Sequence, residues 1–323
     1  MIDQFGRNID YMRLSLTERC NLRCQYCMPQ GARREAEEDV LRYEELLRVC
    51  TAAAALGITR FKLTGGEPLV RPGCAAFAKS LKALPGVEQV TLTTNGLLLG
   101  EKLDALAAAG LDGVNISLDT LDADKYRAIT GSRVFTPAEI FKLLGDCCAR
   151  GIKTKLNCVL LPENREEAVS LAAIAQQLPV DVRFIELMPI GFGGALEHID
   201  PDAVLDSLRQ RWTDLHPTAE KRGNGPAVYY ASEQLRGRVG FIDAVSHRFC
   251  ESCNRVRLTS GGRLKPCLCY ADTLDLKALL RGGCTEGELL AALRKAIYEK
   301  PRAHCFERRG EITESRLMGE IGG

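Results

Sequence analysis

No stretch of this sequence approaches the run of about eighteen apolar residues that a membrane-spanning helix needs. The start, Met1-Ile-Asp-Gln-Phe-Gly-Arg-Asn8, lacks an apolar core, which predicts no secretory signal. An excess of one charge is missing too: 43 basic and 42 acidic residues leave a formal net charge of +1. No global field therefore holds nucleic acid or an anionic membrane, and an anionic ligand must be caught by local basic residues. Internal repeats and low-complexity tracts are absent. Cysteine is what the chain has in excess, 14 in 323 residues. With no sign of export, clustered cysteines point to metal or catalysis rather than disulfides, and to a reducing, cytoplasmic setting. A hydrophobic content of 46% supports a buried core, and the length allows one large α/β domain or one and a half.

Three of the thiols fall in Cys20-Asn-Leu-Arg-Cys24-Gln-Tyr-Cys27, directly after the apolar alternation Tyr11-Met-Arg-Leu-Ser-Leu16. Thiolates suit iron–sulfur clusters or zinc. A structural zinc or an ordinary cubane wants four protein ligands, so three leave one metal position open to a small molecule. Zinc completed by a distant ligand, or inert buried thiols, are the competing readings. The C-x3-C-x2-C spacing resembles that of the radical S-adenosylmethionine (SAM) superfamily. That resemblance implies a [4Fe-4S] cluster on Cys20, Cys24 and Cys27 whose open iron is chelated by SAM, with Tyr26 near the adenine.

From Tyr11 to about Pro189, strand and helix patterns alternate. Strands are expected at Tyr11–Leu16, Ile58–Leu63, Gln89–Thr93, Gly113–Leu118, Thr154–Leu161 and Asp181–Met188. Helices are expected at Tyr43–Leu56, Cys74–Leu84, Glu101–Ala109, Pro137–Arg150 and Glu166–Leu178, several ending at a glycine such as Gly57, Gly110 or Gly151. Six β-then-α units predict a parallel sheet with right-handed crossovers, short of a closed eightfold barrel. The superfamily resemblance implies a partial (βα)6 TIM-type barrel. Ligands are then expected at the carboxyl ends of the strands. There the sequence places Thr64-Gly-Gly-Glu-Pro68, which is either a plain turn or, by the resemblance, the motif for the amino group of SAM, with Gly66 as the matched position. Thr93 and Ser117 lie at the next two strand ends. Lys155 and Asn157 in the fifth strand, and Arg183 and Glu186 in the sixth, are costly inside apolar strands unless paired or used.

The composition shifts between about Ile190 and Pro226, where a boundary is expected. Residues 1–190 would form the barrel and 191–323 a smaller α+β segment. That segment carries a second trio, Cys250, Cys253 and Cys267, spaced C-x2-C-x13-C about a Ser260-Gly-Gly262 hairpin turn. Zinc completed by Cys269 or His247 is one reading. Against it, Arg255 and Arg257 directly follow Cys253, sensible only if an anion binds there.

Both trios, the Arg255-Val-Arg257 between the later cysteines and the final Gly322-Gly323 together resemble the GTP 3′,8-cyclase family of molybdenum cofactor biosynthesis, over essentially the whole chain. The resemblance implies a second [4Fe-4S] cluster on Cys250, Cys253 and Cys267 that meets the guanine of GTP. It implies GTP contacts from Arg13, Thr93, Lys155, Arg255, Val256 and Arg257, and SAM contacts from Tyr26, Gly66, Ser117 and Met188. Arg255, Arg257 and the Gly322-Gly323 tail are implied in the cyclisation, although such a tail is otherwise a frayed terminus. Lys62 stands where the family commonly has arginine; it keeps the charge and loses the bidentate fork, so its phosphate contact is weaker. The implied reaction is reductive cleavage of SAM to a 5′-deoxyadenosyl radical, which takes the 3′ hydrogen of GTP and leads to 3′,8-cyclo-7,8-dihydro-GTP. An external one-electron donor, a homodimer and a downstream cyclic pyranopterin monophosphate synthase are implied with it. The alternatives are a radical SAM enzyme acting on a peptide or other substrate, and a zinc-binding interaction module. The other cysteines match no motif and are expected as small core residues.

Overall fold

The protein is described here by a computed structural model covering residues 1–31 and 36–323. Twelve strands form one sheet. In chain order they are β1 (Tyr11–Ser15), β2 (Arg60–Thr64), β3 (Gln89–Thr94), β4 (Gly113–Ser117), β5 (Lys153–Val159), β6 (Asp181–Ile185), β7 (His216–Thr218), β8 (Val228–Ala231), β9 (Val239–Ile242), β10 (Arg255–Leu258), β11 (Arg263–Lys265) and β12 (Leu274–Asp275). The first six lie side by side in sequence order and all pair in parallel. Helices such as Tyr43–Ala55, Cys74–Lys82 and Leu99–Ala108 make the crossovers. This is the mixed α/β fold with a parallel sheet that the alternating pattern predicts.

The helices start and stop where side chains satisfy their free backbone groups. Thr136 and Glu139 form a capping box for Pro137–Ala149, and the Asp122 carboxylate caps Ala123–Thr130. Gly57, Gly110 and Gly151 all take positive φ just past a helix, as their placement predicts. Two expectations change. The Ala123–Thr130 helix is absent from the sequence reading, because its apolar face is sparse and only the Asp122 cap marks it. The single helix expected over Glu166–Leu178 is a 3-10 turn followed by two short helices, Ala168–Ala172 and Ile174–Gln177.

The carboxyl-terminal residues extend the same sheet from both sides. β10 pairs in parallel with β1, and β9 in parallel with β6, so eight strands run the same way. Antiparallel β11–β12 and β7–β8 complete the two edges. No ladder joins β12 to β7 among the described residues, so the sheet stays open.

Along these strands the side chains alternate in a way that a parallel sheet covered on both faces does not require. Met12, Leu14, Phe61, Leu63, Val90 and Leu92 pack outward beneath the helices in the core. Their neighbours Tyr11, Arg13, Lys62, Thr91 and Thr93 line an interior cavity instead, as do Asn115, Lys155, Arg183, Arg255 and Arg257 further along the sheet. One face is therefore a polar lumen. Phe184 on β6 packs its fully buried ring against Phe241 of β9, with centroids 5.5 Å apart. Phe184→Ala should cost about 3–5 kcal/mol, read as a lower denaturant midpoint with an unchanged slope.

Candidate active site

All six motif cysteines line the one cavity. They do so from opposite ends. Cys20, Cys24 and Cys27 follow the carboxyl end of β1. Cys250 and Cys253 precede the amino end of β10, and Cys267 follows β11, which runs antiparallel to β10. Because β10 is parallel to β1, the second trio sits at the amino mouth. This corrects the expectation that ligand-binding groups gather only at the carboxyl ends. The reason is topological: β10 enters the sheet with its cysteines ahead of the strand rather than behind it.

At the carboxyl mouth, backbone contacts lock the first thiol loop to the Gly-Gly-Glu segment. The Gly66 amide donates to the Thr17 carbonyl at 2.8 Å and the Glu67 amide to the Arg19 carbonyl at 2.8 Å. A side chain at Gly66 would put its Cβ 2.4 Å from the Glu18 oxygen and 2.6 Å from the Arg19 oxygen, so glycine is required for this close approach. Burial raises all three thiols; Cys27 is pushed up to about 12, with the Cys20 charge adding to the effect. Three such thiols ionise together only beside compensating positive charge, which a metal cluster supplies. The Tyr26 hydroxyl donates to Asp119 at 2.9 Å, while the Val159 amide donates to the other Asp119 oxygen at 2.8 Å. Burial pushes Glu67 up to about 7 and Asp119 to about 6 even though each accepts hydrogen bonds. Two buried carboxyls facing this mouth suit a cationic guest. Ser117 and Met188 line the cavity here as well.

The middle of the lumen is cationic. Lys62 is 9% exposed and has no ion-pair partner among the described residues; burial, then Arg183 and Arg13, hold its ammonium well below the usual range. Nε of Arg13 is buried without a hydrogen-bond partner. Arg183 and Glu186, out of place in the sequence, do not pair with each other. Arg183 donates to the Asn157 side-chain oxygen, 3.0 Å from Nε, which also explains Asn157. Uncompensated buried cations are expensive unless an anion joins them. Main-chain oxygens of the last two glycines meet two of these cations. Gly322 turns in the left-handed region at φ +84°, and Arg13 and Arg257 both donate to the Gly322 and Gly323 oxygens. The tail is thus folded into the lumen. Val256 differs from its neighbours, since its side chain lies in the core and it does not line the cavity.

At the amino mouth, burial raises the Cys253 thiol, but Lys300 and Arg255 outweigh it and bring it down to about 7. The Cys250 sulfur accepts from the His304 amide at 3.5 Å. Neither Cys269 nor His247 lines the cavity that the trio borders. Cys269 lies 2.7 Å from Cys305, and His247 faces Asp243 and Asp202. No three His, Cys, Asp or Glu side chains among the described residues converge tightly enough for a single ion. Each trio instead borders open cavity, and the donor sets fit three-thiolate clusters with a free coordination position. Cys50, Cys74, Cys147, Cys158, Cys269 and Cys305 are buried, as expected of core residues, while Cys148 and Cys284 are partly exposed.

Two residues support the site: Arg7, which no sequence signal singles out, and Glu186, which the sequence marks as a polar intrusion without giving its partners. Arg7 donates to the Cys250 carbonyl at 2.9 Å, to Arg302 at 2.8 Å and to Pro301 at 2.7 Å, joining the amino terminus to the second thiol loop. Glu186 accepts from the Val245 amide at 2.7 Å and from Ser246, and meets His198 Nε2 at 2.5 Å, fixing the approach to Cys250. Gly66→Ala should displace the first thiol loop alone. Iron in the anaerobically reconstituted protein should fall from about eight to about four atoms per chain, with the second trio still loaded.

Known proteins place this geometry. A family model of the radical SAM superfamily matches residues 14–174, and one described as Molybdenum Cofactor Synthesis C matches residues 180–306. A GTP 3′,8-cyclase of Clostridium perfringens (strain SM101 / Type A) is 41% identical over 325 residues, covering 100% of both chains. Those of Heliobacterium modesticaldum and Moorella thermoacetica are each 42% identical, again over 100% of both chains. Among solved structures, Streptococcus suis SuiB bound to S-adenosylmethionine aligns with a TM-score of 0.63 at 14% identity, covering 95% of this chain and 76% of that one; it supports the fold alone. No helix among the described residues is long and apolar enough to cross a membrane. The chain belongs to the GTP 3′,8-cyclase family of the radical SAM superfamily.

Proposed function

We propose that this protein converts GTP to 3′,8-cyclo-7,8-dihydro-GTP, the first step of molybdenum cofactor biosynthesis. One observation carries the reading: two three-thiol sets face each other through a single lumen whose middle is lined with cations. Cys20, Cys24 and Cys27 would hold the cluster that binds SAM, and Cys250, Cys253 and Cys267 the one that meets guanine. When bound, the clusters and SAM supply the one-electron chemistry and the radical that no side chain can provide.

The remaining work belongs to the chain. Glu67 and the backbone at Gly66 accept the amino group of SAM. Tyr26, held by Asp119, flanks the adenine, with Ser117 and Met188 beside it. Arg13, Lys62, Lys155 and Arg257 hold the phosphate chain, Thr93 contacts the nucleotide, and Arg255 stands next to the second trio. A lysine at Lys62 suits a phosphate as a point charge. Orienting the ribose between the two mouths brings the reacting atoms close, and the folded-in Gly322-Gly323 tail keeps water away from them. The division at about residue 190 is then functional: residues 1–190 bind SAM, and 191–323 supply the second cluster and much of the GTP site. An external one-electron donor, a homodimer and a cyclic pyranopterin monophosphate synthase acting on the product complete the reading, in a cytoplasmic setting. A peptide substrate would leave the cations at mid-lumen without a purpose.

The test is anaerobic incubation of the reconstituted protein with GTP, SAM and dithionite, followed by product identification. The cyclised guanine product is expected; SAM cleavage without it would refute the reading. A second expectation concerns pH. Burial, then Arg183, lower Lys155 to about 8, against the opposing pull of Asp181. Its proton, and with it the phosphate contact, is present below about pH 8 and lost above. Hence kcat/KM for GTP should fall as pH rises through about 8, and Lys155→Met should lower it throughout and remove that limb.

A further inference from the structure

The amino mouth of the lumen is spanned by the connection between β7 and β8, residues 219–227. Arg222, Gly223, Asn224, Gly225 and Pro226 line the cavity, while Lys221 faces solvent. Two side chains near its middle tie it down on opposite sides. Arg222 donates to the buried Asp181 carboxylate at the start of β6, 2.7 Å from Nη2, and Asn224 donates to Gln89 at the start of β3. The segment therefore crosses the mouth from one side of the barrel wall to the other.

Lys155 connects this strap to the lumen. An ammonium has three hydrogens to give. Here all three have protein acceptors: the Tyr229 hydroxyl at 2.8 Å, Asp181 at 3.3 Å and the Arg222 main-chain carbonyl. Gly223 lies so close that a Cβ there would come within 2.9 Å of Nζ. If Lys155 also binds the substrate phosphate, as the proposed function has it, one of these bonds must be released. Asp181 is charged and buried, so it is the hardest to displace. A neutral carbonyl is the weaker competitor of a phosphate oxygen for an ammonium.

We propose that residues 219–227 are a specificity strap, in which the Arg222 carbonyl holds the Lys155 ammonium until a substrate phosphate replaces it. A nucleotide whose phosphate chain reaches Lys155 frees the strap, and one whose chain is too short leaves it closed. This inference rests on the GTP reading of the same lumen. It adds that the site senses phosphate-chain length through a backbone carbonyl.

Amide hydrogen exchange of residues 219–227 tests this in the reconstituted, SAM-loaded enzyme, with GTP, GMP or no nucleotide and with binding of each measured by titration. GTP at saturation should speed exchange by about threefold or more in this segment, whereas saturating GMP leaves it at the free rate. In Lys155→Met the GTP effect should vanish. Should that variant fail to fold, Arg222→Ala serves instead. Freed from Asp181, its strap should exchange fast without ligand and no longer respond to GTP, and its affinity ratio of GTP over GMP should narrow. Equal exchange with GTP and GMP in an enzyme that binds and turns over GTP would overturn the strap alone. So would a GTP effect that survives in Lys155→Met, or an Arg222→Ala strap that still responds to GTP. Failure of the wild-type protein to bind GTP or make the cyclised product would bring down the functional reading and the strap with it.

Discussion

Positive charge that the protein leaves uncompensated inside its own sheet is the constraint on which the rest depends. Lys62 and Arg257 are buried and Arg13 half-buried, with few anionic partners. Such an arrangement costs stability in the empty protein and is recovered when a polyanion enters. It also accounts for the position of Gly322 and Gly323, whose main-chain oxygens accept from Arg257. The apolar outer faces of the same strands make this tolerable, since Met12, Leu14, Phe61 and Leu63 secure the wall that the cations line.

Much of this was legible in the residues. Thiol spacing, the paired glycines after β2 and the polar intrusions at Lys155, Asn157 and Arg183 all depend on local order, and each marks the lumen in the structure. The six early strands were readable because their apolar runs lie between glycine-terminated helices. The short strands after residue 190 were not. Two to four residues show no period, and it is pairing with β1 and β6 that makes β10 and β9 into strands.

The support for the site was least visible. Arg7 is a lone arginine in an unremarkable terminus, and its four carbonyl partners come together only through folding. Lys221-Arg-Gly-Asn-Gly-Pro226 reads as a linker at a boundary, because glycine and proline mark a bend without saying what it crosses. Its anchors, Asp181 and Gln89, belong to strands far away in sequence. The placement of the second trio likewise turned on strand direction, which periodicity does not encode.

The pairing of β10 with β1 has a consequence for biogenesis. During vectorial synthesis the outer edge of β1 has no partner until nearly four-fifths of the polypeptide has been made, so nascent chains carry an open, sticky strand edge next to the first thiol loop. The first thiol loop is thus made long before the second set, which acquires its surroundings only once β10 has paired with β1. The order of assembly is written into the topology, and the nascent protein carries an unpaired edge in the interval between the two events.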